Sequence, residues 1–200
     1  MYMGDVKSKT FLDTNASSAT FVAAAAQPTS TFTLAKTSFG TNTARKITAT
    51  TTGTGDNGKT ITIVGKDHNN EDATEVITLT GSAETSSGTT TAFLTITSAT
   101  VSAQPADNVS LGMTADVFGS VFQGRTRVRQ VNAESGGSIG SVLFRNGSLT
   151  GTALLTVRTG ATAGDVNTVN IPQDGILYKD GAFVTFDETQ CNSATVYFDG

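Results

Sequence analysis

Residues 53–64 read Gly53-Thr54-Gly55-Asp56-Asn57-Gly58-Lys59-Thr60-Ile61-Thr62-Ile63-Val64, and the residues after Lys59 decide the fold. The first eight residues match the phosphate-binding loop G-x-x-x-x-G-K-T and contain a G-x-G-x-x-G as well. That chemistry needs a helix opening at Lys59, so that successive backbone N–H groups and the helix N-terminus converge on the phosphates. The chain instead continues with β-branched residues in strict alternation, the pattern of a half-buried strand. The glycines are therefore expected to make a hairpin turn, with Asn57-Gly58 supplying left-handed conformations. Nucleotide binding is not expected.

Working outward, the same period of two recurs on both sides. Candidate strands before the midpoint are 31–34, 45–52, 60–64, 74–80, 91–101 and 108–113; after it they are 116–122, 125–131, 140–145, 153–158, 166–171, 175–178, 182–186 and 194–199. Ile61 and Ile63 share a face, as do Ile77 and Leu79, with Thr mostly opposite. Short strands every ~8–12 residues, cut by Gly, Asn and Asp, are what antiparallel sandwiches and barrels produce. Helical periodicity extends over no useful length. Ala23–Ala26 is the local exception, and Pro28 comes so soon after it that the run reads as an extended lead-in.

Composition agrees. Of 200 residues, 37 are Thr and 17 are Ser, while Asp, Glu, Lys and Arg together make only 15%. A net charge of −4 removes the cationic field that nucleic acid or an anionic membrane would attract. No run approaches the ~18 apolar residues of a membrane span, and the N-terminus lacks a secretory layout, so a soluble chain made in the cytoplasm is expected. The single Cys191 excludes an internal disulfide.

Six of the seven Lys lie in 1–114 and five of the six Arg in 115–200. The asymmetry suggests two domains, 19–114 and 115–200. Residues 1–18 are poor in apolar side chains and read as an extended N-terminal arm, in which Phe11 and Leu12 would anchor on a partner subunit. Arg125, Arg127 and Arg129 fall at i, i+2 and i+4, which on a strand projects three guanidinium groups from one face and makes them candidates for contact with another protein or the neighbouring domain. The acidic stretch Asp67-His68-Asn69-Asn70-Glu71-Asp72 lacks the Gly and the later Glu of a calcium loop and reads as a turn, with His68 exposed. No catalytic set, metal site or cofactor site is expected: one His, one Cys and scattered carboxylates supply no recognisable acid–base or nucleophile arrangement.

Several of these segments resemble tailed-phage virion structural proteins. Ala44–Thr50, Asp56–Asp67 and Thr74–Gly81 are similar to an immunoglobulin-like module of that group, in the order arginine-led strand, Gly turn, TxTxxGxD strand and TExxTxTG strand. Thr91–Val101 and Ala106–Gly112 continue it, and Asp67-His68-Asn69-Asn70 stands where a more Gly-containing turn is usual. The second half resembles a smaller phage sandwich through Gly140–Gly147, Leu154–Val157, Asn170–Pro172, Gly175–Tyr178, Gly181–Val184 and Ala194–Phe198. The resemblance implies an all-β chain of two consecutive antiparallel immunoglobulin-like sandwiches. It implies a non-enzymatic virion protein, a decoration or cement protein on the head exterior, present in many copies or as a homo-oligomer and partnered by the major capsid protein or other virion subunits. A tail adaptor, a head-fibre component and a carbohydrate-binding adhesive module are the alternatives; with no Trp and three Tyr, the last has few aromatic faces to offer.

Overall fold

The computed structural model describes residues 5–13, 15–80 and 86–200. Among them every regular element is a β-strand, arranged in two antiparallel sheets, as the alternation predicts. The first eight strands are β1 (Val6–Asp13), β2 (Ala23–Ala26), β3 (Gly40–Thr41), β4 (Ala44–Thr51), β5 (Thr60–Asp67), β6 (Asp72–Thr78), β7 (Ser86–Val101) and β8 (Val109–Phe122). Beyond them come β9 (Thr126–Ser135), β10 (Gly140–Asn146), β11 (Ala153–Thr159), β12 (Val166–Asn170), β13 (Ile176–Tyr178), β14 (Ala182–Asp187) and β15 (Cys191–Asp199). The stretch 31–34, expected to be a strand, makes only an isolated bridge at Thr31. Two expected strands, 108–113 and 116–122, are one continuous element, β8.

The chain forms two compact units. One holds the residues up to Ala16, Gly40–Thr43 and Asp116–Gly200; the other holds Ser17–Phe39 and Ala44–Ala115. The division at 115/116 lies beside the boundary expected near 114, while the N-terminal residues join the C-terminal half.

In the first unit, a six-stranded sheet runs β12-β9-β15-β1-β3, with β13 also on β9. The second half of β8 pairs with β14, β14 with β10, and β10 with β11. The inward residues build one core, which includes Phe11, Val117, Val131, Phe144, Tyr178 and Val196. The expected free arm is thus corrected: Val6–Asp13 pairs along β15 from Val6↔Asp199 to Leu12↔Ser193. The reason is Phe11, which is fully buried. Gly119 makes room for it, since a Cβ there would lie 2.3 Å from the Phe11 ring. Lys9, on the same inward side, donates Nζ to the Ser120 carbonyl at 2.7 Å, and burial lowers its pKa.

In the second unit the 16-residue β7 serves two partners: its first half pairs with β4 and its second with β5, which pairs in turn with β6. Ile47, Ile61, Ile63, Phe93 and Leu111 pack in its core. At β6, Glu75 accepts the N–H groups of Thr90 and Thr91 at 2.6 and 2.8 Å. An inward carboxylate at a sheet edge blunts further strand pairing there.

Candidate functional site

The glycine-rich segment singled out by its sequence is a loop, and Thr60 after it opens β5 with no helix. It is not a hairpin turn, since β4 and β5 are separated by β7 in the sheet. The loop is organised by Asp56, whose side chain is fully buried. Its Oδ1 accepts the Ala106 N–H at 2.6 Å and Lys59 Nζ at 2.8 Å, and its Oδ2 accepts the Asp107 N–H at 3.1 Å. Burial pushes the Asp56 pKa up, but the hydrogen bonds from Lys59, Ala106 and Asp107 outweigh it and hold it below the usual carboxylate value. Lys59 Nζ also reaches the Gln104 carbonyl at 2.9 Å. Lys59, the cation that a phosphate would require, is therefore engaged by an internal carboxylate, while the loop's own Gly55 and Gly58 N–H groups donate to Asp107 Oδ2 and to the Leu79 carbonyl, each at 3.0 Å.

The acidic stretch 67–72 is the expected turn: Asp67 Oδ1 accepts the N–H groups of Asn69 and Glu71 at 2.8 and 3.0 Å. The expected exposed histidine is corrected, because the His68 side chain is only 17% exposed. Burial lowers its pKa against the opposing charges of Asp67 and Glu71. The Cys191 thiol is buried, which pushes its pKa up to about 12 and removes it from thiolate chemistry at neutral pH.

The arginine row is brought together only in part. Arg125 precedes β9 and is exposed, so it is not a third member of one strand face. Arg127 donates from one terminal nitrogen to the carbonyls of Asp174 and Gly175, and Arg129 to that of Gln173 at 3.0 Å. Arg129 also donates Nε to Asp199 Oδ2 at 2.7 Å, and that carboxylate raises the guanidinium's pKa. Two of the three guanidiniums thus clasp the turn before β13 and the end of β15. A positive φ of 72° at Gly175 shapes this turn, and a Cβ there would meet the Val128 carbonyl at 2.3 Å. Of the apolar pair, Leu12 points outward at 36% exposure while Phe11 is core.

The β1 strand also creates a surface that the sequence did not reveal. Outward-facing side chains of β12, β9, β15 and β1 stand in register across the six-stranded sheet. At one end of it lies a cleft of about 480 Å³ lined by Leu12, Asp13, Asn15, Glu134, Thr189 and Asn192, among others. Period-two alternation marks each outward position, but only the pairing of β1 with β15 places strands from the two chain ends side by side. Compared with known proteins, the chain matches no family, no curated protein and no solved structure.

Proposed function

We propose that the chain is a non-enzymatic structural protein of a phage virion, bound in many copies to the exterior of the head. The observation that carries this reading is where the phage-like segments fall. Ala44–Thr50, Asp56–Asp67, Thr91–Val101 and Ala106–Gly112, with the described residues of Thr74–Gly81, cover most of β4 to β7 and the first residues of β8, all within one compact unit with its own core. Of the groups that the sequence singles out for chemistry, Asp56 and Lys59 are locked together and Cys191 is buried. The major capsid protein is the proposed partner. Of the five side chains expected at an interface from the sequence, Arg125 and Leu12 are exposed and unclaimed by the core, and they are the proposed contacts.

Purified virions test the reading. Quantitative mass spectrometry of intact particles should find the chain in amounts on the order of hundreds per particle, as a repeated surface lattice requires. A count of about six or twelve, the symmetry of a tail or portal ring, would move it to the tail, and absence from particles would overturn the proposal.

A further inference from the structure

We propose that the outer face of the six-stranded sheet in the first unit binds a neutral oligosaccharide. Thr168, Asn132, Thr195 and Thr10 lie side by side across β12, β9, β15 and β1. The next row, one step along the strands, is Asn170, Gln130, Tyr197 and Ser8. Seven of these eight side chains are hydroxyls or aliphatic amides and the eighth is a tyrosine; none is charged at neutral pH. Glu134, which accepts the Ser193 hydroxyl at 2.9 Å, lies one step beyond the first row, and the Arg129–Asp199 pair, charged but mutually neutralised, flanks the second at the bulge beside Gln130.

The chemistry of the face selects its occupant. Asn, Gln, Ser and Thr each donate and accept, which matches sugar hydroxyls that do both. Thr10 and Thr195 already share a hydrogen bond at 2.9 Å, as do Gln130 and Asn132 at 3.1 Å, so the groups are pre-oriented while keeping further donors and acceptors. Tyr197 sits half-buried within its row, and in the proposed complex its ring would pack on the C–H face of a pyranose. Strands ~4.8 Å apart, with outward residues ~6.8 Å apart along each, give a grid on the scale of successive sugar rings. The uncharged rows offer nothing to phosphates or to a strongly charged protein surface. They also lack the apolar, aromatic centre of a stable dimer interface. The cleft at the Leu12–Glu134 end extends the polar surface past the first row with the Asn15 and Asn192 amides and the carboxylates of Asp13, Glu134 and Glu188, which disfavour an anionic ligand there.

Such binding would be a property of the isolated chain and needs no virion attachment. The full-length protein would be screened on an array of neutral oligosaccharides (linear and branched glucans, mannans, galactans) beside sialylated and sulfated ones. Hits would be titrated by calorimetry and by ¹⁵N chemical-shift perturbation. The expected result is saturable binding to at least one neutral oligosaccharide, with shifts confined to β1, β9, β12 and β15. Tyr197→Ala and Asn132→Ala should each weaken it by about tenfold, with Lys36→Ala, an exposed side chain of the other unit, as a control that leaves it unchanged. Lack of saturable binding to any neutral glycan, a preference for anionic ones, or shifts elsewhere on the protein would overturn it. Should a variant fail to fold, the shift map of the unaltered protein decides.

Discussion

Asp56 is the residue on which one stretch of this chain turns. Its carboxylate replaces, inside the protein, the anion that the surrounding glycines and lysine suggest should come from outside. Asp56→Ala strips that carboxylate from two backbone N–H groups and from Lys59, and we expect a loss of about 2–4 kcal/mol, the scale for removing a buried, charge-assisted hydrogen-bonding centre. Because its folded pKa is lowered, the stabilisation is present above the unfolded value of about 3.9 and is lost as pH falls through the folded value. Thermal melts between pH 7 and pH 2 should therefore show the unaltered protein losing stability below about pH 4, with a shallower loss in the variant. Added formate should restore part of the variant's stability. Equal pH slopes in the two proteins would refute this role. The sequence hides it because a motif reports residue types at spacings, and Asp56 occupies a position the motif leaves open; the hydrogen bonds to Ala106 and Asp107 come from 50 and 51 residues away.

At the scale of elements, alternation is a faithful guide to which segments are strands and a poor one to which strands are neighbours. Arg45–Thr52, Thr60–Val64 and Ala194–Asp199 all lie on or within a residue of observed strands, because period-two burial is written locally. Partnership is set by surfaces far apart in the chain, so β1 reads as an arm: seven of its eight residues are polar, charged or outward, and only Phe11 betrays the core. The arginines depart from expectation for a related reason. Spacing places Arg127 and Arg129 on β9, but the turn at 172–175 that absorbs their donors is visible only once folded. If β1 is integral, Phe11→Ala should cost about 3–5 kcal/mol in the free protein, whereas Leu12→Ala, on the outward side, should change stability by no more than about 0.5 kcal/mol. Denaturant melts of the two variants check this, and a Phe11→Ala protein as stable as the original would restore the free-arm picture.

For the whole molecule, the order of the chain and the composition of the two units do not coincide. The backbone passes from one unit to the other after residues 16, 39, 43 and 115. A cut at the boundary suggested by the lysine and arginine distribution would leave residues 116–200 without β1 and with one edge of β15 unpaired. The fragment 17–115, by contrast, retains every residue of its unit. We expect 17–115 alone to give a dispersed NMR spectrum and a cooperative melt, and 116–200 alone to give neither. A cooperatively folding 116–200 would show that β1 is an accessory. The all-β class is legible because Thr, Val and Ile alternate almost everywhere; the interleaving is not, because no local signal records which chain segment returns to close a sheet. The pairing of Val6 with Asp199 also sets a schedule for synthesis. A ribosome releases β1 well before β15, so this strand must stay uncommitted until residues 191–199 have emerged, while the unit formed by Ser17–Phe39 and Ala44–Ala115 can fold as it emerges. Closure of the first unit is a long-range event, slow by the logic of loop entropy. During that interval the nascent chain presents an unpaired β1 edge to other chains, which ties the yield of native protein to crowding on the polysome.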